Sequence, residues 1–95
     1  MNFKVLATQD GVQAAVMRLA QREASGQHGN EHAASVQVLV VVRGQVDAEA
    51  GKTPFRMLPG DSTIVARGIE RRFVAASSEE AVTINVHAPP AYDDG

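Results

Sequence analysis

The chain has 95 residues and a mass of 10.1 kDa, with no cysteine, no tryptophan and three histidines. That leaves room for one domain of the usual ~100 to 150 residues, and it excludes a disulfide scaffold, a thiolate metal site and a cysteine nucleophile. Nine basic residues against eleven acidic ones, net −2, is not the charge of a nucleic-acid binder, so a small-molecule or protein partner is expected.

In chain order, the first residues lack the apolar centre of a signal peptide. The segment from Asp10 to Ala24 supports two readings. Val12, Ala15, Val16 and Leu19 fall at helical spacing behind Asp10 as N-cap, with Gln13 three residues on. The same segment alternates as a strand, with Val12, Ala14 and Val16 on one face and Ala15, Met17 and Leu19 on the other. Ser35 to Arg43 is the clearest strand. Its two faces, Val36, Val38, Val40, Val42 and Ser35, Gln37, Leu39, Val41, are both largely apolar, so both are expected to be covered. Further strands are predicted at Gln45 to Ala50, Pro54 to Leu58, Ser62 to Ala66, Arg71 to Ala76 and Ala81 to Ala88. Gly51-Lys52 reads as a hairpin turn and Leu58-Pro59-Gly60-Asp61 as a tight turn, in which Pro59 presets φ and Gly60 takes φ > 0. Pro89-Pro90 stops the last strand, because neither residue donates to a ladder. On that strand Val82, Ile84 and Val86 are expected to face the core, which turns Thr83, Asn85 and His87 outward.

Short strands at this spacing predict an all-β sandwich or barrel. The longest unbroken apolar run, Val38 to Val42, is far short of the ~20 residues of a membrane-spanning helix. The reading is a single cytoplasmic domain over 1–95, with no membrane and no nucleic-acid partner and with Ala91 to Gly95 as a loose tail.

From Gly26 to Tyr92 the glycine and proline framework resembles a small single-domain cupin. The resemblance rests on Gly26 and Gly44 of a first motif, Gly60 and Gly68 of a second, the 15 residues between Gly44 and Gly60, the Pro59-Gly60-Asp61 turn and the terminal Pro89-Pro90. It implies a cupin-type jelly-roll barrel, or double-stranded β-helix, and favours the strand reading of residues 10–24. It also implies a divalent metal, Fe, Mn, Ni or Zn, held by two His and one Glu of the first motif and one His of the second. Here those positions depart from the pattern. Counted forward from Gly26, the His positions hold His32 and Ala34; counted back from Gly44, they hold Glu31 and Ala33, and the Glu position holds Gln37. The second-motif His position holds Arg71 on either count. A guanidinium is always protonated and has no lone pair to donate, so it cannot ligate a cation and repels one.

These departures describe a barrel with degenerate metal motifs, for which no metal cofactor is expected. The first expectation is a metal-free barrel that binds or senses a small organic anion. Arg71 and Gln37 are its polar groups, Phe73, Leu39 and Val41 its apolar lining, and His32 a further ligand or acid/base candidate. The alternative is a metal-dependent dioxygenase, isomerase or decarboxylase with a rebuilt site drawn from His32, Gln37, Glu31 and His87. A barrel filled by its own side chains is the third. Because a chain this small buries a modest share of its surface, a homodimer is expected.

Overall fold

The computed structural model describes residues 1–25 and 34–92. They contain eight strands and no helix: β1 (Asn2–Gln9), β2 (Val12–Leu19), β3 (Val36–Arg43), β4 (Val46–Ala50), β5 (Thr53–Met57), β6 (Ser62–Val65), β7 (Arg71–Ala75) and β8 (Ala81–Ala88). β3 to β8 match the six predicted strands to within one or two residues at their ends. Within the segment 10–24 the strand reading holds over Val12–Leu19. Asp10 is not a helix cap; with φ of 53° at Asp10 and 78° at Gly11, the pair forms the two-residue turn of a β1-β2 hairpin, and both positive angles suit the twist of the flanking strands. β1 has no counterpart among the predicted strands. Its alternation is interrupted by a bulge between Val5 and Ala7, which blurs the period of two.

The strands make a five-stranded sheet, order β1-β2-β8-β3-β6, and a three-stranded sheet, order β5-β4-β7, antiparallel throughout. The crossings β2 to β8, β3 to β6 and β4 to β7 are those of a jelly roll. Among the described residues no helix is long and apolar enough to cross a membrane.

Two loops tie the sheets together. In the turn after β5 the Asp61 amide donates to the Leu58 carbonyl at 2.9 Å, and Gly60 takes φ of 92°, the geometry expected of Pro-Gly at its centre. The turn is stitched to β3 by Gly60 N–H to Val41 O at 2.8 Å and Val41 N–H to Asp61 O at 3.0 Å. On the other side, Arg22 and Ser25 donate to the Ala75 and Phe73 carbonyls, and the Phe73 amide donates to Ser25 Oγ. This segment covers the exposed edge of β7.

Register shows how the interior is graded. Across the inner face of the large sheet run the rows Gln13–His87–Gln37–Val65, then Ala15–Asn85–Leu39–Thr63, then Met17–Thr83–Val41. The small sheet contributes Arg71 opposite Ala50, then Phe73–Ala48–Phe55, then Ala75–Val46–Met57. One end of the barrel is therefore an apolar plug, with Leu19, Val46, Met57 and Ala75 all buried. The other end is polar.

The orientation of β8 reverses the expected one. Thr83, Asn85 and His87 are the inward set, each no more than 1% exposed, while Ile84 and Val86 face outward and are only half-buried. Pairing dictates this: Thr83 lies between Met17 and Val41, both buried in the core, so it must share their face.

Candidate functional site

The polar end of the barrel is built around Arg71, the first residue of β7. Its Nε and Nη2 donate to the Ile69 carbonyl at 3.1 and 2.9 Å, and Nη2 also reaches the Ala66 carbonyl at 3.4 Å. Across the barrel, Nη1 donates to Gln37 Oε1 on β3 at 3.0 Å. Both side chains are buried, Arg71 at 9% and Gln37 at 6% exposure. Burial pulls the guanidinium below its ordinary value, and the neighbouring Tyr92 hydroxyl acts in the opposite direction. From so high a starting point the group stays charged. The side-chain ion pairs Arg18–Glu80, Arg43–Glu79 and Arg56–Asp47 lie on exposed surface, and none of these involves Arg71.

The Arg71–Gln37 contact joins two of the four positions that the resemblance assigns to metal ligands. The arrangement does not suit a cation: one group is positively charged, and the carbonyl of the other already accepts a bond from it. No cluster of three metal-ligating side chains occurs among the described residues. His28, Glu31 and His32 lie outside the described residues.

Of the other expected lining residues, Leu39 and Phe73 stand one inward row from Gln37 and Arg71, while Val41 lies two rows away in the apolar plug, about 13 Å along β3. His87 sits beside Gln37 in the same row and is 1% exposed. Its ring meets Tyr92 edge-on with centroids 5.3 Å apart, and Tyr92 packs in turn on Phe3 at 4.4 Å.

Two further features of this end carry no motif signal. Gln13, fully buried on β2, donates from Nε2 to Thr8 Oγ1 at 3.1 Å and to the Tyr92 carbonyl at 2.7 Å, and its Oε1 accepts from the Ala91 and Tyr92 amides at 3.1 and 3.0 Å. Ala91 and Tyr92 are thus strapped across the barrel end and are not part of a loose tail. A glutamine within an otherwise apolar alternation is the one sign of this in the sequence. Gln13→Leu is expected to cost about 2 to 3 kcal/mol, since it leaves the strap's amides without an acceptor. Hydrogen exchange would show Ala91 and Tyr92 amide protection falling at least tenfold while core strands keep theirs.

Two surface depressions of about 490 and 480 Å³ lie elsewhere. The first, on the outer face of the small sheet, is lined by Asp47, Glu49 and Arg72 among others, and the second by residues of β5, Asp61 and β6. Neither brings Arg71 or Gln37 to its wall.

A family model described as the cupin domain matches residues 15–87, which takes in both motifs, the spacer and all but the last residue of β8. The chain belongs to the cupin family. Solved cupin-like structures agree in fold. KdgF from a Halomonas species is 22% identical with a TM-score of 0.86, over 97% of this chain and 80% of that one. A protein from Bacillus halodurans is 18% identical with a TM-score of 0.89, over 98% and 74%. An RmlC-like cupin from Shewanella frigidimarina is 17% identical with a TM-score of 0.81, over 93% and 75%. At these identities the likeness is one of fold. A search of curated proteins found no match. In this cupin the two motifs meet through an arginine–glutamine hydrogen bond.

Proposed function

We propose that this cupin binds a small organic anion at the polar end of its barrel, without a metal, in a sensing or accessory role. Arg71 carries the reading. Its hydrogen bonds among the described residues run only to neutral oxygens, those of Gln37, Ile69 and Ala66. Neutral acceptors solvate a cation without cancelling its charge, and a buried charge lacking a counter-ion costs several kcal/mol. A carboxylate or phosphate group would supply that counter-charge and accept from the fifth guanidinium N–H, which those four bonds do not use. Leu39 and Phe73 offer apolar walls beside the charge, and Asn85 and His87 offer polar edges, the composition usual for a small-ligand site.

The test is calorimetric titration of protein purified without chelator or a polyhistidine tag. The titrants are small mono- and dicarboxylates and phosphate esters, each set against its uncharged amide or alcohol analogue. At least one anion is expected to bind in the micromolar range and at least about a hundredfold more tightly than its neutral analogue, a difference of ~2.7 kcal/mol. Equal binding of the two forms would overturn the reading. So would near-stoichiometric Fe, Mn, Ni or Zn by elemental analysis, which would restore the metalloenzyme alternative.

A further inference from the structure

After β8 the chain crosses the polar end of the barrel, held by two buried side chains. Ser35 donates from Oγ to the Pro89 carbonyl at 2.7 Å, and Gln13 clasps Ala91 and Tyr92 through both amides and the Tyr92 carbonyl. The clasp turns the Tyr92 ring onto Phe3 of β1 and, edge-on, onto His87 of β8. Neither contact needs a phenol, since a phenylalanine ring would make both. His87 shares a row with Gln37, whose carbonyl accepts from Arg71. The Tyr92 oxygen opposes the lowering of the guanidinium by burial, so the hydroxyl stands within electrostatic reach of that charge. The hydrogen bonds of Arg71 among the described residues engage Nε once, Nη2 twice and Nη1 once, which leaves one N–H on Nη1 for a ligand. A carboxylate or phosphate has at least two oxygens to satisfy, so this single N–H is not enough.

From these observations we infer that Tyr92 is the second anion-binding residue of the barrel end: its hydroxyl donates to one oxygen of the ligand while Arg71 Nη1 donates to another. Gln13, which touches no ligand, is the positioning residue that holds Tyr92 there. The inference rests on the anion-binding reading of Arg71 and narrows the ligand to oxyanions. Two donors of different origin aimed at one anionic group select a centre bearing two or more oxygens, and a halide of the same charge meets only one of them at a time.

The experiment is calorimetric titration of the full chain with acetate, benzoate, succinate and phenyl phosphate, and with chloride as the halide. Tyr92→Phe keeps the ring contacts and removes the donor. It is expected to weaken oxyanion binding by about 10- to 100-fold, as loss of a hydrogen bond to a charged group does. Gln13→Leu should weaken it comparably, and adding Tyr92→Phe to that variant should cost less than about threefold more, because the hydroxyl has already lost its place. An unchanged β-type circular dichroism spectrum verifies each fold. Tyr92 is the one tyrosine of a chain without tryptophan, so tyrosine emission reports it alone, and its titration with the oxyanion should give the calorimetric dissociation constant. If Tyr92→Phe binds as the wild type does while Arg71→Met does not bind, the role of Tyr92 is overturned and the reading of Arg71 stands. If the wild type binds none of the four oxyanions, both fall. An equal cost of Tyr92→Phe in the presence and absence of Gln13 would overturn the positioning role.

Discussion

Replacing Arg71 with methionine is expected to abolish anion binding, and doing so together with Gln37→Leu should leave the unliganded domain at least as stable as the wild type. The two halves of this expectation have one cause. In the free protein the guanidinium's hydrogen bonds among the described residues run to neutral oxygens only, so its burial is a cost that a ligand offsets on binding. Losing a desolvated charge from a charge-paired contact typically costs about 2 to 5 kcal/mol, or roughly 30- to 5,000-fold in dissociation constant. With wild-type protein, an anion at about a hundred times its dissociation constant adds ~2.7 kcal/mol, near 10 °C or more in Tm for a domain of this size. That shift should vanish in the variant. Arg71→Met alone leaves the buried Gln37 carbonyl without its donor and should lose about 1 to 3 kcal/mol. Converting both partners to apolar groups removes that penalty and the charge together. Arg71→Lys keeps the charge but not the planar fork, and should bind the anion more weakly by about one order of magnitude.

The sign of any pH effect follows from the same residue. Burial lowers the folded-state value of Arg71, so the charged form costs the folded protein stability at every pH below that value. Because the ordinary value is so far above neutrality, the cost is constant over about pH 5 to 9. Scanning calorimetry of wild type and the double variant across that range should give a Tm difference that does not vary with pH. A difference that grows or shrinks through neutrality would assign the coupling to another group.

Gly44→Ala should be the most damaging single substitution for folding outside the hydrophobic core. Gly44 links β3 to β4 at φ of 75°, and a Cβ there would stand 2.6 Å from the Glu80 carbonyl oxygen and 2.9 Å from Ala81 Cα. Both are backbone atoms at the start of β8, so no side chain can rotate out of the way. The left-handed backbone alone costs an L-residue ~1 to 2 kcal/mol, and overpacking against fixed atoms adds about 1 to 3. The sum, about 2 to 5 kcal/mol, is a large fraction of the stability of a small domain and predicts a fall in Tm of roughly 10 °C or more. Gly60 is the control. It has φ of 92° but nothing within 4 Å of where a Cβ would stand, so Gly60→Ala should cost only the backbone term. Equal urea midpoints for the two variants would mean that the β3-β4 connection yields to the contact.

Several features of the molecule are legible in the sequence because they are local. Alternation locates six strands, and Pro59-Gly60 names its own turn. The spacing from Gly44 to Gly60, with the glycines and prolines around it, is enough to point to the cupin family. The hairpin turn at Asp10-Gly11 is masked in the sequence, because the aspartate also suits a helix cap and Val12, Ala15, Val16 and Leu19 satisfy a helical spacing. β1 is hidden by its bulge. The motif positions set Arg71 and Gln37 together as the polar groups of one expected site; the hydrogen bond between them is not legible, since they are 34 residues apart and meet only when the two sheets face each other. The same holds for Gln13 and the strap at Ala91 and Tyr92, 78 and 79 residues away.

The reversal on β8 marks the boundary between the two kinds of information. A period of two is a property of the extended chain, and it correctly sorts Thr83, Asn85 and His87 from Val82, Ile84 and Val86. Which set lies inside is settled by what covers each face. On β8 the register with β2 and β3 turns the polar set into the barrel, where Arg71 and Gln37 form the candidate site, and leaves Ile84 and Val86 half-buried on the outer face. Length, composition and spacing are enough for a small cysteine-free β-barrel; the side of each strand that faces the interior, and the bond between Arg71 and Gln37, arise only from pairing and packing between segments distant in the chain.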